Sequence, residues 1–145
     1  MSASMTSRSA TSREQMDALV DGHYRAEENG DLAAIINGFA PGAEHDVVGR
    51  PGDALYGGEQ IAGFYGALLA ELRIDRFEPV RRRYGADHVV DEAVLHATAV
   101  GHPFGLDGRG RPVRARFLHV FDFDDGLISR ESAWIDLAAI QQQLA

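Results

Sequence analysis

The fold is decided by residues 111–144, RPVRARFLHVFDFDDGLISRESAWIDLAAIQQQL. The stretch reads as two long strands, Pro112 to Phe123 and Leu127 to Asp136, followed by a short helix capped by Asp136. The connection Asp124-Asp125-Gly126 is a strong hairpin signal, because Asp-Gly supplies the positive φ angles that a tight turn needs. Strand side chains alternate, so Ala115, Phe117, His119, Phe121 and Phe123 share one face. A histidine in the middle of an aromatic face must lose water and find a partner. It is either a satisfied core histidine or a polar group aimed into a pocket.

Upstream, Met16, Leu19, Val20, His23, Tyr24 and Glu27 follow the spacing of an amphipathic helix. Ser12 is its expected N-cap and Gln15 its capping-box partner, and Asn29-Gly30 ends it. Asp31 caps a second helix through Phe39, stopped by Pro41-Gly42. His45 to Val48 is a short strand, and Arg50 to Gly58 is a loop. Ile61, Phe64, Tyr65, Leu68, Leu69 and Leu72 form the best helical stripe in the chain. The pattern then turns to strands at about 73–84 and 88–102, joined by Gly85-Ala86-Asp87. The glycines of GLDGRGRP (residues 105–112) precede a strand rather than a helix, so they connect a hairpin and do not cradle phosphate. Early helices and a late antiparallel meander define an α+β class, a curved, mostly antiparallel sheet wrapped around N-terminal helices.

Composition narrows the function. At 145 residues the chain makes one domain with a real core, expected over 14–145. Residues 1–13, rich in Ser, Thr and Arg, read as a disordered tail. The net charge of −8 argues against a nucleic-acid or anionic-membrane partner. All 14 basic residues are arginine, which excludes lysine Schiff-base and P-loop chemistry. Without cysteine there is no disulfide, thiolate nucleophile or thiolate metal site. The absence of a secretory or membrane-spanning run makes the cytoplasm the default location.

Among the six histidines, His96 and His102 share one strand but stand roughly 20 Å apart at ~3.3 Å per residue, too far to share a metal. No metal site and no cofactor are expected. His23 lies on the apolar stripe of the first helix, either bonded to a backbone carbonyl or pointing into a cavity. His45 and Asp46 are strand neighbours, so at most one of them faces any cavity. Arg81-Arg82-Arg83 alternates faces and reads as a solvated strand edge. Trp134 with Asp136 closes the last strand, by packing and capping.

The phrases NGDLAAIINGFAPGAEHDVVG, LYGGEQIAGFYGALL and RFLHVFDFDDGLISRESAWIDLAAI span most of residues 14–144. In these the chain resembles the nuclear transport factor two-like superfamily, in particular its ketosteroid isomerase and SnoaL-like polyketide cyclase branches. The resemblance implies a cone-shaped sheet around an apolar pocket, often in a homodimer. Ketosteroid isomerases combine a helix tyrosine, a general-base aspartate and a protonated aspartate. By position these fall on His23, on Asp46 (after a one-residue gap; without it on Val47, with His45 inward) and on His119. Two of the three residue types therefore differ. Where limonene-type epoxide hydrolases have a last-strand aspartate, Ala133 stands.

The resemblance implies a cofactor-independent enzyme that abstracts a proton beside a carbonyl of an apolar cyclic or polyketide-like substrate. Asp46 or His45 would be the base, and His23 and His119 would stabilise the enolate oxygen. Phe64, Tyr65, Phe117, Phe121 and Trp134 are the aromatic candidates for binding the substrate. The alternatives are a non-catalytic binding module on the same fold, or an epoxide hydrolase with a rearranged site using Glu131.

Overall fold

The computed structural model describes residues 10–145. Most of the expected tail therefore lies outside the described residues. The first helix, α1 (Arg13–Glu28), starts at Ser12 with the expected capping box: the Ser12 hydroxyl accepts from the Gln15 amide, and the Gln15 side chain accepts from the Ser12 amide. Its buried stripe is Met16, Val20, His23, Tyr24 and Glu27, so three polar side chains enter the core with the apolar ones. The second helix, α2 (Leu32–Asn37), is capped by Asp31 and stops two residues earlier than expected, with Gly38 as its C-cap.

Phe39 belongs instead to β1 (Phe39–Val47), a longer strand than His45 to Val48. Its pairing with the last strand shifts between Phe39 and Glu44. Pro41 has no amide hydrogen and Gly42 has φ 71°, so the strand is interrupted there and then resumes. The loop after it contains the two-residue strand β2 (Leu55–Tyr56), which pairs with β1. Next comes α3 (Gly57–Glu71), which buries Ile61 and Tyr65 and passes directly into β3 (Leu72–Tyr84).

The remaining strands are β4 (His88–Ala99), β5 (Arg111–Asp124) and β6 (Leu127–Ile135), and α4 (Leu137–Leu144) follows Asp136 as N-cap. The sheet order is β2-β1-β6-β5-β4-β3, antiparallel throughout except for the parallel pair β1–β6. Asp125 and Gly126 both take positive φ (53° and 77°), as the two-residue hairpin requires. Strand β4 ends at Ala99, before His102, because the connecting loop folds onto it: the Gly108 amide donates to Gly101 O and the Gly110 amide to Ala99 O. A short 3₁₀ turn, Pro103–Gly105, follows.

The inner sheet face carries the core. It is supplied by Val89, Leu95, Ala97 and Ala99 of β4 and by Val113, Ala115, Phe121 and Phe123 of β5, against Met16, Val20, Ile35, Ile61 and Tyr65 of the helices. Leu72, Ile74 and the α4 residues Ile140 and Leu144 close one end of the core. Arg82 departs from the solvated-edge reading. Its guanidinium meets Asp91 at 2.8 Å and Asp17 and Asp21 at 2.9 Å each, which ties β3 to α1. Arg81 and Arg83 remain exposed. No helix among the described residues is long and apolar enough to cross a membrane.

Candidate active site

Between the helices and the inner sheet face lies a cavity of about 610 Å³. Most of its wall is apolar, including Phe64, Leu68, Ile74, Phe77, Leu95 and Phe117. The exposed Val48, Pro51 and Phe104 border it and mark its open side. Deep in the wall is a polar group formed by Glu27, His45, Tyr65, His119 and Glu131.

Glu131 is the hub. It is 1% exposed and projects from the inner face of β6. Tyr65 donates its hydroxyl hydrogen to Glu131 Oε2 at 2.7 Å, and His45 Nε2 is 3.3 Å from the same oxygen. The other oxygen, Oε1, has His23 Nε2 at 3.3 Å and His119 Nε2 at 3.5 Å. Each position follows from local structure. His45 is the register partner of Glu131 across β1–β6, and Phe121 is its partner across β5–β6. Tyr65 descends from α3, and its hydroxyl also meets His45 Nε2 at 3.1 Å and His23 Nε2 at 3.2 Å. His23 reaches Glu27, one helical turn on, at 3.1 Å.

The electrostatics follow from burial and pairing. Burial works against a charge on His23, but Glu131 and Glu27 outweigh it and lift the imidazole to about 10, so His23 is a cation at neutral pH. Burial would raise Glu131, yet His23 and His45 beside it hold its carboxyl well below the usual range. Burial raises Glu27 despite the opposing pull of His23. His119 goes the other way from His23. Burial drives it down to about 3, against the pull of Glu131, with the charge of His23 adding to the fall. Burial also holds Tyr65 and Tyr24 well above 10, so both are phenols and can donate.

The structure distributes the sequence candidates unevenly. His45, 1% exposed, faces the cavity; Asp46 is half-buried on the opposite face and does not line it. The period-two rule allowed only one of these neighbours inside, and the β1–β6 register selects His45. His119 is in the wall, stacked between Phe117 and Phe121 at 4.3 and 5.3 Å. His23 meets the same carboxylate from behind and is not part of the wall. Phe64, Tyr65 and Phe117 line the cavity, whereas Phe121 packs beneath it in the core. Trp134 corrects the binding expectation: it is 41% exposed and sits on the outer face, because it alternates with the inward Ala133 and Ile135.

Sequence reasoning missed Glu27, Tyr24 and Asp91, and gave Glu131 only a secondary role. A signal was there. Asp91 shares strand parity with Val89, Ala93 and Leu95, and Glu27 shares the helix stripe with Val20 and Tyr24. A carboxylate on an apolar face needs a buried partner. No three His, Asp or Glu side chains among the described residues are arranged to hold a metal ion.

A curved sheet packed over N-terminal helices around an apolar cavity is the ketosteroid isomerase-like class of fold. The chain belongs to the SnoaL-like family, whose domain model matches residues 20–131. Comparison with functionally curated proteins gives no match. Solved structures similar to it include a protein provisionally named a polyketide cyclase from Xanthomonas campestris pv. campestris (24% identity, 92% of this chain and 98% of that one, TM-score 0.81). Another, provisionally named a SnoaL-like polyketide cyclase, is from Jannaschia sp. CCS1 (21% identity, 96% of each chain, TM-score 0.77). An epoxide hydrolase of M. tuberculosis is similar at 18% identity, over 90% of each chain, with a TM-score of 0.71. At these identities the likeness establishes the fold and leaves the reaction open.

Proposed function

We propose that this protein is a cofactor-independent enzyme that abstracts a proton next to a carbonyl in an apolar cyclic or polyketide-like substrate, as an isomerase, cyclase or dehydratase does. The observation that carries this reading is the His45–Glu131 pair in the wall of an apolar cavity. Tyr65 has one hydrogen and gives it to Glu131, its nearest acceptor at 2.7 Å. His45 therefore holds its own proton on Nε2, toward Tyr65 Oη and Glu131. That leaves His45 Nδ1 as a lone pair that no protein group bonds, on an atom that is itself buried behind the cavity wall. A carboxylate-oriented imidazole with a free nitrogen is the arrangement of a general base.

In this reading the wall gives way as substrate enters, and His45 Nδ1 then takes the proton from carbon. The enolate forms beside the new His45 cation and within the field of the His23 cation. Charge that appears only as the proton leaves is thus stabilised by groups already in place. The apolar wall binds the substrate body and keeps bulk water from competing. A homodimer in the cytoplasm completes the proposal.

A second reading rests on Glu27 and Glu131. Both line the cavity, one pushed up and the other down, which is how an acid and a base are set apart in one site. Such a pair suits epoxide opening by water.

The test is proton exchange in D₂O. Apolar cyclic ketones incubated with the protein and followed by NMR are expected to take up deuterium at the carbon beside the carbonyl. Apolar epoxides in parallel report the second reading through diol formation. Tight binding of ketones without exchange or turnover would favour a non-catalytic binding module on the same fold.

A further inference from the structure

We propose that Tyr24 is a positioning residue: it fixes His119 with its proton on Nδ1, so that Nε2 is a bare acceptor in the cavity wall, where it accepts a hydrogen bond from a substrate hydroxyl. The tautomer stands on the hydrogen-bond network and on the burial of the ring, independently of the proposed reaction. The hydroxyl contact rests on the proposed role of the cavity as a substrate site.

A chain of contacts leads to His119 from outside the cavity. Arg82 Nε donates to Asp91 Oδ1 at 2.8 Å. Asp91 Oδ2 accepts from Tyr24 Oη at 2.6 Å, and Tyr24 Oη is 3.0 Å from His119 Nδ1. Asp91 and His119 are register partners on β4 and β5, and Tyr24 reaches them from α1. All three side chains are buried.

Tyr24 has one hydrogen and two acceptors in reach. The carboxylate is nearer and carries charge, and charge-assisted hydrogen bonds are the shorter and stronger ones. The hydrogen therefore goes to Asp91. With its hydrogen spent, Tyr24 Oη can only accept from His119, so Nδ1 must carry the proton. Burial keeps the ring neutral near pH 7, so Nε2 then has none. The separation of 3.5 Å between Nε2 and Glu131 Oε1 agrees, since a lone pair facing a carboxylate gains no hydrogen bond. Phe117 and Phe121 sandwich the ring and hold its plane.

The consequence reverses the role expected for His119. A bare Nε2 cannot donate to an enolate oxygen. It selects a group that brings its own hydrogen, such as an alcohol, an enol or a phenol. The substrate class implied is an apolar ring system bearing a hydroxyl as well as the carbonyl.

The experiment is two-bond proton–nitrogen NMR on the full chain with ¹⁵N-labelled histidine, with His119 assigned by its loss in His119→Phe. The expected wild-type spectrum has a protonated Nδ1 and an unprotonated Nε2 at His119. Tyr24→Phe, which keeps the ring stacked on Phe77 at 4.3 Å, should move the proton to Nε2. A wild-type Nε2–H, or a tautomer unchanged in Tyr24→Phe, overturns the assignment; the wild-type spectrum decides even if the variant does not fold. The acceptor contact is read by calorimetry with 2-naphthol and 2-methoxynaphthalene. The naphthol should bind about fivefold tighter, as one hydrogen bond allows, with the preference lost in His119→Phe. Equal affinity, or binding of neither, overturns the contact. A wild-type Nδ1–H spectrum beside a failed ketone exchange would retire the proposed reaction and keep the tautomer.

Discussion

Glu131 and His45 face each other as register partners across β6 and β1, with Oε2 and Nε2 3.3 Å apart. A parallel strand pair thus delivers a carboxylate and an imidazole to one point without any loop. Rigid strands hold such a pair more tightly than a loop would. His23 and Tyr65 reach the same carboxylate from α1 and α3, and His119 lies 3.5 Å from it on β5, so five elements, β6 and β1 included, meet at Glu131.

Glu131→Gln should therefore destabilise the protein strongly. It leaves His23 with Glu27 as its remaining anion, inside the core. Removing one partner of a buried ion pair typically costs about 3–5 kcal/mol. Urea unfolding of the variant should show a loss of that order. A loss below about 1 kcal/mol would mean that the cluster is not the buried ion pair described.

Stability should peak near pH 6.5. Between about 6.5 and 10 the folded protein holds a proton on His23 that the unfolded chain releases, so His23 stabilises below 6.5 and that stabilisation is lost as pH rises to 10. Between about 6.5 and 3 the unfolded chain protonates His119 while the folded chain does not, so stability falls as pH drops. Unfolding free energies across pH should show both limbs. His23→Gln should flatten the alkaline limb and His119→Phe should weaken the acid one.

Much of this was legible in the sequence, and the rest was hidden for physical reasons. The hairpin at Asp125-Gly126 and the Ser12 capping box are local, set by neighbouring residues, and they formed where the pattern put them. The choice between His45 and Asp46 was not local. It depended on which residue of β1 meets Glu131, a strand 86 residues away in sequence, and on the irregularity at Pro41-Gly42. The triple arginine misled because Arg82 finds its anions on α1 and β4, beyond any short window. Trp134 looked like a pocket aromatic by residue type, while strand alternation with Ala133 already placed it outside.

The outer sheet face carries the proposed dimer contact. Val80 and Trp134 are exposed there and line a shallow hollow with Val94 and Leu118. A second copy would cover this apolar surface. Light scattering at micromolar concentration should give twice the chain mass for the wild type and the chain mass for the double variant Val80→Glu/Trp134→Glu. A wild-type monomer would contradict the dimer.

Gly108 offers a test of the fold beside the cavity. A Cβ there would lie 2.3 Å from Ala99 O and 2.5 Å from Gly101 O, both backbone atoms. Gly108→Ala should cost about 1–3 kcal/mol by forcing the loop off β4. Unchanged thermal unfolding would show that the loop does not dock as described.

His45, and not its neighbour Asp46, is the proposed base. Its most direct test is the deuterium-exchange rate of one responsive ketone with wild type, His45→Ala and Asp46→Asn, each shown folded by circular dichroism. His45→Ala should lose about 10²–10⁴-fold, the usual worth of a general base, and Asp46→Asn should stay within about twofold of wild type. Full activity in His45→Ala, with exchange abolished in Asp46→Asn, would contradict that assignment.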